Sequence, residues 1–279
     1  MAGILYLVAT PIGNLGDLSP RAVETLAQAD FIAAEDTRVS LRLLNHFDIR
    51  KPLVSYHEHN RAAAGPAIVQ RLLGGESCAL VTDAGTPAIS DPGEDLVRLC
   101  GREGITVQAI PGCCAAVCAL AVSGLPTGRF CFEGFLSANK KERRTRLEEL
   151  SHEERTMVFH EAPHKLRPTL ADMLEVLGDR PVALCRELTK LHEEIWKTTL
   201  GEAQTHYSEN DPRGEYVLVM AGAPAAEAEE ELTLEQAAQR ALELTRNGYA
   251  ASAAAKAAAQ GTPYSKSEVY KQLLALQAD

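Results

Sequence analysis

Two α/β domains followed by a small C-terminal helical module with a helix-turn-helix-like pattern are what this sequence predicts. Short runs rich in β-branched residues alternate with segments of helical apolar spacing, the pattern of strands joined by crossover helices. The alternation stops at the Gly- and Pro-containing stretch 124–128 and restarts at Phe130, and beyond the acidic run at 223–231 only helical patterns remain. The expected division is therefore 1–124, 125–222, a linker at 223–231, and 232–279.

In the first domain, strands are expected at 4–10, 31–35, 52–56, 78–82 and 106–110. Helices are expected at 21–28, opened by Ser19 and Pro20, and at 39–47, 62–73 and 94–102. Such alternation implies a mainly parallel sheet, with ligands at the carboxyl ends of its strands. A small-residue helix at 113–122 follows, closed by Ser123, Gly124 and Pro126. The second series has strands at 130–135, 156–161, 182–188, 194–198 and 216–220, with helices at 141–150 and 168–177. Four glutamates among small residues make 223–231 a tether. In the tail, helices are expected at 234–245, 252–259 and 266–276. Ser265 and Glu268 have capping-box spacing for the last, and Gly261 and Pro263 break the one before it.

Among 279 residues, 46% are hydrophobic and 24% charged, which excludes a disordered or collagen-like chain. No apolar run reaches the roughly eighteen residues of a membrane span, and the N-terminal apolar run lacks the flanks of a signal peptide, so a cytoplasmic protein away from membranes is expected. Seven cysteines, with Cys113, Cys114 and Cys118 crowded together, match neither a disulfide framework nor paired zinc spacing and read as reduced core residues. A net charge of -10 opposes a general nucleic-acid coat and directs attention to local patches. The tail carries five basic and four acidic residues, with only Lys266 and Lys271 on its third helix. That is a poor DNA reader; packing and RNA contact remain as readings.

Three strand-to-helix loops carry chemistry. Residues 11–17, PIGNLGD, follow the first strand but are not the dinucleotide fingerprint, although the acidic pair Glu35 and Asp36 lies about twenty residues on, where a ribose-binding acid would. In the loop 82–93, Asp83 can accept hydrogen bonds while Ala84 and Gly85 leave room for a ligand. The turn Ile110-Pro111-Gly112 is the third. Taken singly, each also reads as an ordinary turn.

Taken in order, the strings YLVATPIGNLGDLSPRA, AEDTR, SYHEHN, LVTDAGTPAISDPG, AIPG, SGLPTGRFCFEGFL, FHEAPHKL, RELTKLHEE and GEYVLV resemble the tetrapyrrole methylase superfamily. Within it they resemble the branch that methylates the ribose 2′-hydroxyl of a cytidine in the decoding region of small-subunit (16S) ribosomal RNA. FHEAPHKL departs mildly from the usual tyrosine and arginine versions at His160 and Lys165. The resemblance implies two domains of tetrapyrrole-methylase type with S-adenosylmethionine in the cleft between them, small-subunit ribosomal RNA or the assembling subunit as partner, and a homodimer. It implies cofactor contacts from Ile12, Asp83, Ala84, Gly85, Pro87, Cys114 and Ala115 on one side and from Glu161, Leu188 and Gly214 on the other.

Methyl transfer needs an in-line approach of the acceptor oxygen and demands no metal. A base, or a charge that stabilises the developing alkoxide, would assist. His57, Lys190 and His59 are the candidates, in that order; His57 and His59 flank Glu58 with Asn60 beside them, a cluster that also reads as a helix cap. Arg38 and Arg186 are cationic candidates for phosphate, and Lys140, Lys141, Arg143, Arg144 and Arg146 form a candidate phosphate rail, or else a charged helix face. Aromatic residues, at 5%, are too few for extensive base stacking. Two other activities fit parts of the pattern: a tetrapyrrole-precursor C-methyltransferase, and a ligand-sensing helix-turn-helix regulator. The basic segment and the tail favour RNA over the former, and the weakly charged tail disfavours the latter.

Overall fold

A computed structural model describes residues 2–224 and 232–278. Its first five strands, β1 (Ile4–Val8), β2 (Phe31–Ala34), β3 (Leu53–Ser55), β4 (Cys78–Val81) and β5 (Thr106–Ile110), all run parallel in the order β3-β2-β4-β1-β5. Every residue of β2 and β4 is buried, as befits central strands covered on both faces. Alternation divides them between two cores. Phe31, Ala33, Cys78 and Leu80 meet Ile68 and Leu72 of α3 (Arg61–Leu73) and Leu96 of α4 (Glu94–Arg102). Ile32, Ala34, Ala79 and Val81 meet Ala22 and Leu26 of α1 (Pro20–Gln28) and Leu44 of α2 (Thr37–His46). Each large side chain buried here contributes about 1.5–3 kcal/mol.

The second sheet has the order β6-β7-β10-β8-β9, formed by β6 (Phe130–Phe135), β7 (Thr156–Glu161), β8 (Pro181–Arg186), β9 (Glu194–Thr199) and β10 (Tyr216–Met220). Only β6 and β7 pair in parallel. One face is covered by α6 (Lys140–Glu149), α7 (Pro163–Leu177) and α8 (Leu200–Glu209). The other is covered by α5 (Ala115–Ser123), whose Ala116, Ala119 and Leu120 pack with Val158, Ala183 and Val217. This helix follows β5 in sequence yet serves the second sheet, so the two sheets belong to one compact unit ending at Ala223.

Differences from the sequence expectations have local causes. The strands expected to end at Thr10 and Leu188 stop at Val8 and Arg186, because the residues beyond them turn away to line a cleft. Helix α7 starts at Pro163, whose missing N–H costs nothing in a first turn, whereas Pro168, expected to open the helix, lies inside it. Helix α8 was not expected from its mixed sequence; Thr199 caps it, and Leu200, Ala203 and Tyr207 are buried.

The second unit begins at Pro224 and contains α9 (Leu234–Arg246), α10 (Ala251–Ala259) and α11 (Lys266–Ala278). Ala237, Ala241, Ala254, Ala255 and Ala258 form its core with Val269 and Leu273. The expected capping box at α11 is present: Ser265 Oγ accepts from Glu268 N, and Glu268 Oε2 accepts from Ser265 N at 2.7 Å. Of the acidic segment 223–231, residues 225–231 lie outside the described residues. No helix among the described residues is long and apolar enough to cross a membrane.

Candidate active site

Thr10 and Gly85 hold two loops of the first sheet together through a two-way backbone bridge, with N···O distances of 2.9 and 3.1 Å. The Thr10 hydroxyl donates to Thr82 O at 3.1 Å and the Thr86 hydroxyl to Cys113 O at 2.9 Å, joining the turn before α5 to the pair. Gly85 sits at φ +90°, which a side chain would oppose. Ile12, Glu35, Asp83, Ala84 and Ala115 therefore converge just beyond the carboxyl ends of their strands. Facing them from the second sheet are Phe135, His160, Glu161, Ala162, Glu187, Leu188, Lys190 and Val217. The cavity between the two walls measures about 440 Å³.

The second wall is held by side-chain bonds. Glu161 is buried, accepts from Ala162 N at 2.9 Å and Thr169 Oγ1 at 2.6 Å, and forms an ion pair with Lys165 Nζ at 3.0 Å. Glu187 and Thr189 adopt left-handed φ of 51° and 67°. Lys190 Nζ donates to Glu187 Oε1 at 2.9 Å and to Glu215 Oε2 at 2.8 Å, and its aliphatic stem lies over Gly13, where a Cβ would come within 2.4 Å of it. Burial alone would lower the Lys190 pKa, but its hydrogen bonds to Glu187 and Glu215 outweigh this and raise it. An ammonium held in its charged form by two carboxylates is a poor proton acceptor, so the expectation of Lys190 as a base is corrected, and of its expected roles only that of a fixed charge is left: it straps the second wall to the first loop.

Acidic groups dominate the first wall. Burial raises Asp83 and Glu35, and it pushes Asp91 up to about 6 with help from the charge of Glu35. Opposite them, burial lowers the His160 pKa, which keeps the ring neutral. Its Nε2 is buried with no hydrogen-bond partner among the described residues, and the ring stands edge-on to Phe132 and Phe135. A second cavity of about 720 Å³, lined by Glu58, Arg61, Ala88, Pro92 and Asp95 among others, adjoins the first and shares Glu35, Ser90 and Asp91 with it.

The other residues expected from sequence have mixed placements. Gly85, Pro87, Cys114 and Gly214 lie behind the lining rather than in it; a Cβ on Gly214, at φ +78°, would come within 2.5 Å of the Glu187 side chain. His57 has its Nδ1 buried with no hydrogen-bond partner among the described residues, while His59 is exposed. Asn60 makes no side-chain cap to α3; it accepts from His57 N at 2.8 Å and donates to Ser55 O at 3.0 Å, which fixes the His57 turn. Arg38 is 86% exposed and paired with Asp36, and Arg186 is paired with Glu194.

The five-residue phosphate rail is corrected. Arg143 is 4% exposed and donates twice to Asp172 Oδ2, at 2.8 and 2.6 Å, tying α6 to α7 out of reach of any RNA. Arg144 is bound to Glu175, and Arg146 to Glu133 and Glu149. Lys140 and Lys141 are exposed and enter no ion pair among the described residues. Asp91, Ser90, His160 and Glu215 were missed as site residues. Asp91 and Ser90 lie inside the recognised string SDPG, where they read as the lead-in to a helix.

S-adenosylmethionine, the cofactor the resemblance implies, fits this cleft. The volume is that of a small-ligand pocket. Ile12, Ala84, Leu188 and Val217 provide apolar wall for a ring, the carboxyls of Glu35 and Asp83 suit the cationic amine and sulfonium, and the orphaned His160 Nε2 offers a polar contact.

The chain belongs to the tetrapyrrole (corrin/porphyrin) methylase family, whose model matches residues 4–204, and is a methyltransferase. A protein named ribosomal RNA small subunit methyltransferase I from Synechocystis is 49% identical over 282 residues, 99% of each chain. Its namesake from Pseudomonas aeruginosa is 47% identical over 276 residues, 98% of this chain and 97% of its own. Among solved structures, uroporphyrin-III C-methyltransferase from Thermus thermophilus matches with a TM-score of 0.52 at 21% identity, covering 78% of this chain and 94% of that one, a likeness of fold.

Proposed function

We propose that this protein transfers a methyl group from S-adenosylmethionine to small-subunit ribosomal RNA in the cytoplasm, and that the acceptor is the ribose 2′-hydroxyl of a cytidine in the decoding region. The observation that carries this reading is the likeness, over 99% of both chains, to a protein named for that RNA. The adjoining cavities support it, since donor and acceptor must meet while each is held separately. S-adenosylmethionine supplies an electrophilic methyl on a sulfonium. The chain's own part is to hold the donor with Ile12, Asp83, Ala84, Ala115, Glu161 and Leu188, to exclude water between the two walls, and to bring the RNA in with Arg38, Lys140 and Lys141. Ribose methylation mapped on ribosomal RNA from cells with and without the protein tests it; a missing methyl group in its absence is expected, and an unchanged map overturns the reading. Methyl incorporation into uroporphyrinogen, run in parallel, tests the tetrapyrrole alternative. Exposed Val117, Val122 and Phe130 support a homodimer, which sedimentation against concentration checks.

Two predictions arise from this reading. Asp83→Ala is expected to weaken donor binding by about 1–3 kcal/mol, because a charged acceptor on the cleft wall is lost and the hydrogen bond it takes from Asp36 N at 3.1 Å goes with it. Calorimetry returning the wild-type affinity would remove Asp83 from the site. Replacing Lys140 and Lys141 together by alanine is expected to raise the KM for RNA, leave donor affinity alone and reduce the slope of log K against log salt by about 1.5. An unchanged slope would make this pair a solvated face.

A further inference from the structure

The two cavities meet at Glu35, Ser90 and Asp91. A hydroxyl proton leaving the acceptor as its oxygen closes on the methyl carbon must be released at such a junction. Ser90 has no proton-accepting charge near neutral pH. Glu35 is engaged on the first wall, where its Oε2 accepts from Asp83 N at 3.4 Å and its carboxyl lies near His57. Asp91 is paired with no lysine, arginine or histidine among the described residues; the nearby cations are taken, Arg61 by Glu58 and Asp95, and Arg98 by Glu94. The loop that carries it is held rigidly. Ala88 and Ser90 sit at φ of 68° and 60°, a Cβ on Gly93 would lie within 2.9 Å of Leu80, and Ser90 Oγ lies against Gly134 of the second sheet.

We propose that Asp91 is the general base of the methyl transfer, standing where the donor and acceptor cavities join. This rests on the ribose reading above. The O2′–methyl bond forms as the methyl–sulfur bond breaks, sulfur keeps that bond's electron pair and becomes neutral, and the hydroxyl proton passes to an Asp91 carboxylate oxygen, which becomes neutral in turn. The surroundings suit the role. Glu35 and Asp83 face Asp91 from the ends of β2 and β4 and disfavour its charge, while the Thr82 hydroxyl favours it. From the β3–α3 turn and α4, Glu58, Arg61, Glu94, Asp95 and Arg98 line the acceptor side; His160 and Lys190 lie across the donor cavity. With a carboxyl near 6, the group is ionised at neutral pH yet basic enough to be useful.

The test combines three measurements on wild type, Asp91→Asn and Asp91→Glu. In single turnover with unmethylated small subunits, the wild-type rate is expected to rise with pH to a plateau with a midpoint near 6. Asp91→Asn should lose about 10²- to 10⁴-fold in rate and the pH-dependent limb. Asp91→Glu should recover part of the rate. Calorimetry should give all three proteins the same donor affinity. Carboxyl-carbon NMR of the protein without substrates should show one aspartate titrating near 6 that vanishes in Asp91→Asn. Because an acid with a raised pKa opposes folding once pH exceeds its unfolded value, Asp91→Asn should melt at a higher temperature than wild type above neutrality. A near-normal rate in Asp91→Asn, a loss explained by weaker donor binding, or an ordinary carboxyl titration overturns the assignment. Wild type that methylates no RNA in the same assay removes the ribose reading, and the base with it.

Discussion

Arg143→Ala is expected to lower the folding stability by about 3–5 kcal/mol, a large share of the roughly 5–15 kcal/mol that holds most domains together. Arg143 and Asp172 are almost wholly buried, and removing the guanidinium leaves a carboxylate in the core with only Arg144, at 3.5 Å, to answer it. The carbonyls of Ser137 and Ala138 lose a donor as well. Urea denaturation should show a lower midpoint with an unchanged slope, while the salt dependence of RNA binding by the folded protein stays at the wild-type value. Arg143→Met with Asp172→Leu should restore much of the loss, since breaking a buried pair costs more than replacing it with apolar groups. A wild-type midpoint for Arg143→Ala would show the pair to be energetically idle.

Glu161→Ala should cost about 3 kcal/mol and also weaken donor binding. The carboxylate is 1% exposed at the floor of the cleft, and its loss strands the Lys165 ammonium and the Thr169 hydroxyl together. Lys165 keeps Leu136 O at 3.2 Å and the face of Phe135 at 5.3 Å, which limits the damage. Since Glu161 already accepts two protein hydrogen bonds and pairs with Lys165, it shapes the floor for the ligand more than it binds it. Thermal melts and calorimetry on the same preparation check both effects; a destabilised variant that keeps full donor affinity would confine Glu161 to folding.

The legibility of the site followed from how each residue is used. Ile12, Asp83 and Ala84 follow strand ends inside long recognisable strings, so pattern and position agreed on them, whereas Ala115, at the start of α5, lies outside every string and came from the resemblance alone. Arg143 was misread because a basic run looks alike whether its members face water or a neighbouring helix, and only the turn of α6 toward α7 put this one inside. Lys190 had the right location, but Glu187 and Glu215 close around its charge only after two loops fold together, one of them 25 residues further along the chain.

By itself the sequence determined most of the alternation of strands and helices, the parallel first sheet, the caps at Ser19 and Ser265 and the family to which the chain belongs, because each of these depends on residues close together in the chain or on long contiguous strings. Tertiary structure alone decided that α5 serves the second sheet, that one arginine of the basic run is core, and that Asp91 stands between two cavities. Those outcomes depend on burial and on the mutual distance of charges, which arise only when remote segments meet.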